Sequence, residues 1–169
     1  MLKQDNSTNA SFRQRVSLPS AVRDCSTDKF QCTSFSKFES HNKVRIISLG
    51  CPKNLIDSEV MGGLLNQSGR QLVDRSDSAD IVIVNTCAFI NPAKEEAIEE
   101  ILTLACEKKK NNPQMRIVVA GCLAQRYGKE LFAQMPEVDL FIGTGEVGNI
   151  VSHINKFNQD KFRRESVIT

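Results

Sequence analysis

A chain of 169 residues, 40% hydrophobic and 25% charged, is long enough for one domain with a real core and has the balance of a soluble globular protein. Its formal net charge of +2 is too small to argue for a nucleic-acid partner. No segment approaches the roughly 20 apolar residues of a membrane span, and the first residues lack the apolar stretch of a secretory signal. Six cysteines are many for this length. They punctuate a regular pattern rather than framing loops, so a reducing, cytoplasmic setting with thiolates open to metal is expected instead of a disulfide framework.

Residues 1–42 are rich in Ser, Thr, Asn and Gln and have no sustained period. They read as a disordered or poorly packed N-terminal extension. Asp5, Asp24 and Asp28 argue against a transit peptide, which is poor in acids. From Lys43 the pattern becomes regular. Val44–Leu49 reads as a first strand, and Pro52 then suits the first turn of a helix. Ile56, Val60 and Leu64 recur at helical spacing and are expected to mark that helix's core face, with Gly69 as its stop. Gln71–Val73 is a short second strand. Ile81–Val84 is an unbroken β-branched run, as expected of a strand buried on both faces.

Asn91 and Pro92 open the next helix, with Ile98, Ile101, Leu102 and Ala105 as its apolar stripe. Lys108, Lys109 and Lys110 fall in its last turn, where cations complement the helix dipole; they read as a solvated helix end. Met115–Ala120 is a further strand. Leu123, Tyr127 and Leu131 define a helix stopped by Pro136. Val138–Ile142 is a fifth strand, and Val147, Ile150, Val151 and Ile154 mark a last amphipathic helix. Residues 156–169 are polar and read as a linker. The alternation predicts an α/β fold over residues 43–155: a doubly wound, mostly parallel sheet of five strands with helices on both faces.

Cys51, Cys87 and Cys122 each end one of the predicted strands, 36 and 35 residues apart. Parallel strands of one sheet put their carboxyl ends on one edge, where ligands of such sheets bind. Three thiols at that edge, near helix N-termini that favour thiolates, suit a metal centre. One such cysteine alone would read as a small buried hydrophobe; three at equivalent strand ends do not. Structural zinc wants four protein ligands, and His41 and His153 fall outside the pattern. An iron–sulfur cluster on three thiolates would keep one iron open. The residues therefore favour the open cluster, with structural zinc as the other metal reading.

Other features carry less. Cys106 reads as core packing on its helix, and the spacing of Cys25 and Cys32 matches no common ligand pair. A cysteine after a first strand suggests a low-molecular-weight phosphatase, but the required arginine position holds Asp57. Gly143, Gly145 and Gly148 match a dinucleotide fingerprint placed after the wrong strand, so a tight turn into the last helix is the better reading. Asp57 and Glu59 read as solvated or capping acids.

Gly50-Cys51-Pro52-Lys53-Asn54 with Asp57-Ser58-Glu59, Asn85-Thr86-Cys87-Ala88-Phe89-Ile90 and Gly121-Cys122-Leu123 resemble, in order and spacing, the three signatures of the N-terminal domain of the radical-SAM methylthiotransferases. The resemblance covers about residues 43–155. Pro52-Lys53-Asn54 and Phe89-Ile90 are similar to the branch that modifies an aspartate of a small-subunit ribosomal protein; the branch acting on tRNA is the alternative, and a non-enzymatic flavodoxin-like metal-binding module is the other. The resemblance implies that Cys51, Cys87 and Cys122 ligate an auxiliary 4Fe-4S cluster whose open iron holds the sulfur to be transferred. It assigns S-adenosylmethionine and a second 4Fe-4S cluster to a following barrel domain, and no direct nucleic-acid binding is expected of this domain. No trio of the six cysteines has the Cys-x-x-x-Cys-x-x-Cys spacing of that barrel. The radical-generating domain is expected to be missing from this chain, which alone is then not expected to cleave S-adenosylmethionine.

Overall fold

The computed structural model describes residues 43–159 and 164–168. Its strands are β1 (Lys43–Ser48), β2 (Gln71–Leu72), β3 (Ile81–Thr86), β4 (Arg116–Gly121), β5 (Leu140–Ile142) and β6 (Glu165–Val167). Its α-helices are α1 (Pro52–Gln67), α2 (Asn91–Lys110), α3 (Cys122–Gln134) and α4 (Ile150–Gln159). The strands form one sheet in the order β2-β1-β3-β4-β5-β6, and every neighbouring pair is parallel.

Residue alternation builds the layers. Val82 and Val84 of β3, with Ile117 and Val119 of β4, face Ile98, Ile101 and Leu104 of α2 and Leu123 and Leu131 of α3. Ile81, Ile83, Val118 and Ala120 point the other way, into a core with Met61 and Leu65 of α1 and Ile150 and Ile154 of α4. Burial on both faces is why β3 reads as a continuous apolar run. The doubly wound α/β expectation is met.

Four local expectations change. The sheet has six strands rather than five: β6 pairs with β5 through Leu140↔Glu165 and Ile142↔Val167, inside the segment read as a linker. A three-residue edge strand reading Glu-Ser-Val has no period long enough to detect. In α1 the buried positions are Asn54, Ser58, Met61, Gly62 and Leu65, while Ile56 and Val60 are exposed. Two polar side chains occupy the inward face of its first half, so Ile56 and Val60 point outward, while Leu64 packs partly against the core as expected. Asn91 lies inside α2, whose capping position is Ile90. Lys108 is not solvated: its ammonium meets Asp139 at 2.6 Å, both side chains being largely buried. Residues 1–42, read as an extension, lie outside the described residues.

The candidate metal centre at the carboxyl edge of the sheet

The order of the first four neighbours reverses direction between β1 and β3: the chain goes outward to β2, returns to β3, and continues through β4. Such a switch point opens a crevice at the carboxyl ends of the strands. Cys51 follows β1 and Cys87 follows β3, so the two flank that crevice; Cys122 opens the helix after β4. Register places the ends level, with Ser48↔Asn85, Asn85↔Ala120 and Thr86↔Gly121 as partners. The structure thus brings together the three cysteines singled out from the sequence.

Two glycines allow the loops to close on one another. Gly50 has φ +120°, and a Cβ there would stand 2.4 Å from Cys87 Cβ. Gly121 has φ +94°, and its Cβ would meet Asn85 Oδ1 at 2.4 Å and the Thr86 carbonyl oxygen at 2.6 Å. Both φ values lie in the region that side chains avoid, so glycine is required twice over. These are the residues immediately N-terminal to Cys51 and Cys122, and each opens one of the three signatures.

The thiols differ in environment. Cys51 is exposed at the N-terminus of α1. The backbone N–H of Asn54 holds its thiol below the ordinary range; burial works slightly against this, and the N–H groups of Lys53 and of Cys51 itself, with the Lys53 ammonium, add to the lowering. Cys122 moves the opposite way. Burial raises it first and the nearby Cys87 next, while Lys53 opposes; Cys51 and Asp57 raise it further. Cys122 therefore senses the other two cysteines across the crevice. Cys87 is buried, and the backbone N–H of Phe89 donates to its Sγ at 3.5 Å. Cys87 does not open a helix directly: Ala88, Phe89 and Ile90 intervene before α2.

Beneath the cysteines lies a buried polar network that sequence reading missed. The Cys51 thiol donates to Asn54 Oδ1 (3.1 Å). Asn54 Nδ2 donates to the Thr86 carbonyl (2.9 Å) and to Asn85 Oδ1 (3.3 Å). Asn85 Nδ2 donates to the Asn54 carbonyl (2.8 Å) and to Ser58 Oγ (3.0 Å), and Thr86 Oγ1 donates to the Ala120 carbonyl (2.7 Å). Left unpaired, a buried amide of this kind would cost about 1–3 kcal/mol. Its sequence signal is faint: Asn85 and Thr86 interrupt an apolar strand, and Asn54 and Ser58 fall one turn apart on α1.

At the rim, Lys53 meets Asp57 at 2.6 Å, which holds its ammonium charged by raising its pKa; the thiol sites Cys122 and Cys51 act in the same direction, and partial burial opposes. Asp57 is thus a tether for Lys53, and Glu59 is exposed. Phe89 and Ile90 are also exposed, at 90% and 55%, just beyond Cys87. The remaining candidates are elsewhere. His153 pairs with Glu146 at 2.9 Å, Cys106 is half-buried on α2, and Thr144–Asn149 is a tight 3-10 turn leading into α4 whose Thr144 N–H is taken by Gln125. His41, Cys25 and Cys32 lie outside the described residues.

Among the described residues no three His, Cys, Asp or Glu side chains close tightly enough to hold a single metal ion. A zinc ion draws its sulfur ligands to about 2.3 Å of one point. A cluster of several irons takes each thiolate on a different metal atom, so its ligands stand further apart. Three thiols around one crevice, with glycine permitting close loop approach, are donors of the kind an iron–sulfur cluster takes.

A doubly wound parallel domain with a cysteine triad at its switch point is the class that fold and site define. The chain belongs to the uncharacterized protein family UPF0004, whose model matches residues 43–143. It is 56% identical over 118 residues to "Ribosomal protein uS12 methylthiotransferase RimO" of Syntrophus aciditrophicus, covering 70% of this chain and 26% of that protein. Proteins of the same name are similar in Pelotomaculum thermopropionicum (52% over 114 residues, 68% and 26% covered) and Desulfotalea psychrophila (51% over 123 residues, 70% and 27% covered). The chain thus spans about a quarter of the length of these curated relatives. The resemblance read from the three signatures is met.

Proposed function

We propose that residues 43–155, extended by β6, are the cluster-carrying N-terminal domain of a methylthiotransferase acting on an aspartate of a small-subunit ribosomal protein. Cys51, Cys87 and Cys122 are its ligands for an auxiliary 4Fe-4S cluster. The observation that supports it most is that three cysteines follow the neighbouring parallel strands β1, β3 and β4 at one edge, where Gly50 and Gly121 bring the loops into close contact. The relatives' printed names favour the ribosomal-protein branch over tRNA. When bound, such a cluster supplies an iron with a free position for the sulfur that is transferred.

The chain's own residues prepare that place. The first turn of α1 stabilises the Cys51 thiolate, and the Phe89 N–H supports the Cys87 sulfur. Lys53, tethered by Asp57, sets a positive charge beside the anionic donors. Exposed Phe89 and Ile90 at the rim support a site completed by further protein. In this reading S-adenosylmethionine and its own 4Fe-4S cluster belong to a radical-SAM domain of the kind the longer relatives have room for, and the partner is a protein rather than nucleic acid. A reducing cytoplasm follows from free thiolates serving as ligands. No helix among the described residues is long and apolar enough to cross a membrane.

Anaerobic reconstitution tests the reading. The chain should take up about four iron and four sulfide per molecule. Cys51→Ala, Cys87→Ala and Cys122→Ala should each lose most of that cluster. Stoichiometric zinc without sulfide, or full iron in all three variants, would sink it.

A further inference from the structure

The polar network under the cysteines has one residue in contact with all three donor loops. Asn85 is fully buried, two residues before Cys87. Its amide nitrogen holds the α1 loop of Cys51 through the Asn54 carbonyl and Ser58 Oγ. Its carbonyl oxygen accepts from the Leu49 N–H, at the end of β1. Its Oδ1 lies against the bare Cα of Gly121, one residue before Cys122. Asn54 completes the frame: its Nδ2 donates to the Thr86 carbonyl, its own carbonyl accepts from Asn85 Nδ2, and Thr86 Oγ1 continues to β4 at Ala120.

This placement is more than packing. β3 is otherwise apolar through Ile81–Val84, and an apolar side chain at position 85 would fill the same interior. It would not fix direction. Hydrogen bonds specify distances and angles between loops, whereas apolar contacts slide. The asparagines sit at the one layer of the sheet where three separate loops must be held to a common spacing.

We propose that Asn85 and Asn54 are positioning residues that set the spacing of the three sulfur donors, so that retention of the metal group depends on them beyond their share in fold stability. The proposal rests on the cluster reading above. It makes no use of how any thiol titrates.

The test compares reconstituted chains of residues 1–169: wild type, Asn85→Ala, Asn54→Ala, the double variant, and Asp139→Ala as a control that weakens the opposite edge of the sheet. Three quantities are read: the rate of iron release to a chelator, the paramagnetic resonance spectrum of the reduced cluster, and Tm. Either asparagine variant should release iron about 10–100-fold faster, the range typical of lost outer-shell partners, with a changed spectrum. The double variant should be no faster than the faster single variant, since both act through one network. Asp139→Ala should lower Tm while keeping the wild-type release rate and spectrum. Should Asn85→Ala fail to fold, Ser58→Ala and Asn54→Ala carry the same comparison. Release rates that simply track Tm across all variants, or asparagine variants that behave as wild type, overturn the proposal alone. A wild-type chain that takes up no iron and sulfide overturns the cluster reading, and this proposal with it.

Discussion

The two edges of the sheet solve opposite problems. At the amino edge, Asp139 gathers two cations and a backbone donor: Lys108 at 2.6 Å, Arg116 at 3.4 Å and the Ile117 N–H at 2.8 Å. Nearby, Arg164 donates to the Phe132, Val138 and Met135 carbonyls and stacks over the Phe132 ring. The charges of Asp139, Lys108, Arg116 and Arg164 are matched there within the protein. At the carboxyl edge, neutral amides hold the frame, glycines replace side chains, and the Cys51 thiol and Lys53 face outward while Cys87 is buried and Cys122 half-buried. The first edge is closed and serves stability. The second is held rigid underneath and left chemically open above, as a binding edge requires.

The contrast can be broken at either end. The largest effect is expected from Gly121→Ala. It combines a positive φ with overlap on the Thr86 backbone, for a loss of about 3–5 kcal/mol. Thermal unfolding should show Tm falling by roughly 15 °C or more. A normal Tm would mean that the loops are not closely apposed. Asp139→Ala comes next, at about 2–4 kcal/mol, because it strands two largely buried cations. Denaturant unfolding should record that loss, and an unchanged midpoint would refute the closed-edge picture.

The smallest effect is kinetic. In the metal-free chain the pH profile of alkylation should place the Cys51 midpoint below that of an ordinary thiol and the Cys122 midpoint above it. At about pH 7.5 Cys51 then carries the larger thiolate fraction and reacts first, by several-fold. Mass spectrometry of the modified peptides checks the order. Coincident midpoints would remove the electrostatic difference between the two donors.

Sequence pattern reached some of this directly and missed the rest for physical reasons. Ile81–Val84 announces a central strand because burial on both faces leaves no polar period. The cysteine triad was legible because strand ends in a parallel sheet share an edge whatever the pairing details. The inward face of α1 was not: Asn54 and Ser58 are buried as hydrogen-bonding groups, so the apolar rule selected Ile56 and Val60, which face solvent. The fate of Lys108 depended on Asp139, 31 residues away. The asparagine frame needed the register of three strands, which no local window contains. β6 is shorter than any period that could reveal it.

One consequence concerns the order of events as the protein forms. The pairings that place Cys51, Cys87 and Cys122 are all parallel and all cross a helix. Closing such long loops is slow and precedes any reward from the contacts they make. The three sulfurs therefore have no common location in the nascent chain, unlike the paired ligands of a zinc finger, which lie close in sequence and fold around their ion. On the cluster reading proposed above, metal would meet this donor set only after β1, β3 and β4 have docked. Loading would then be a late event on a finished scaffold, and the metal-free chain should keep that scaffold standing.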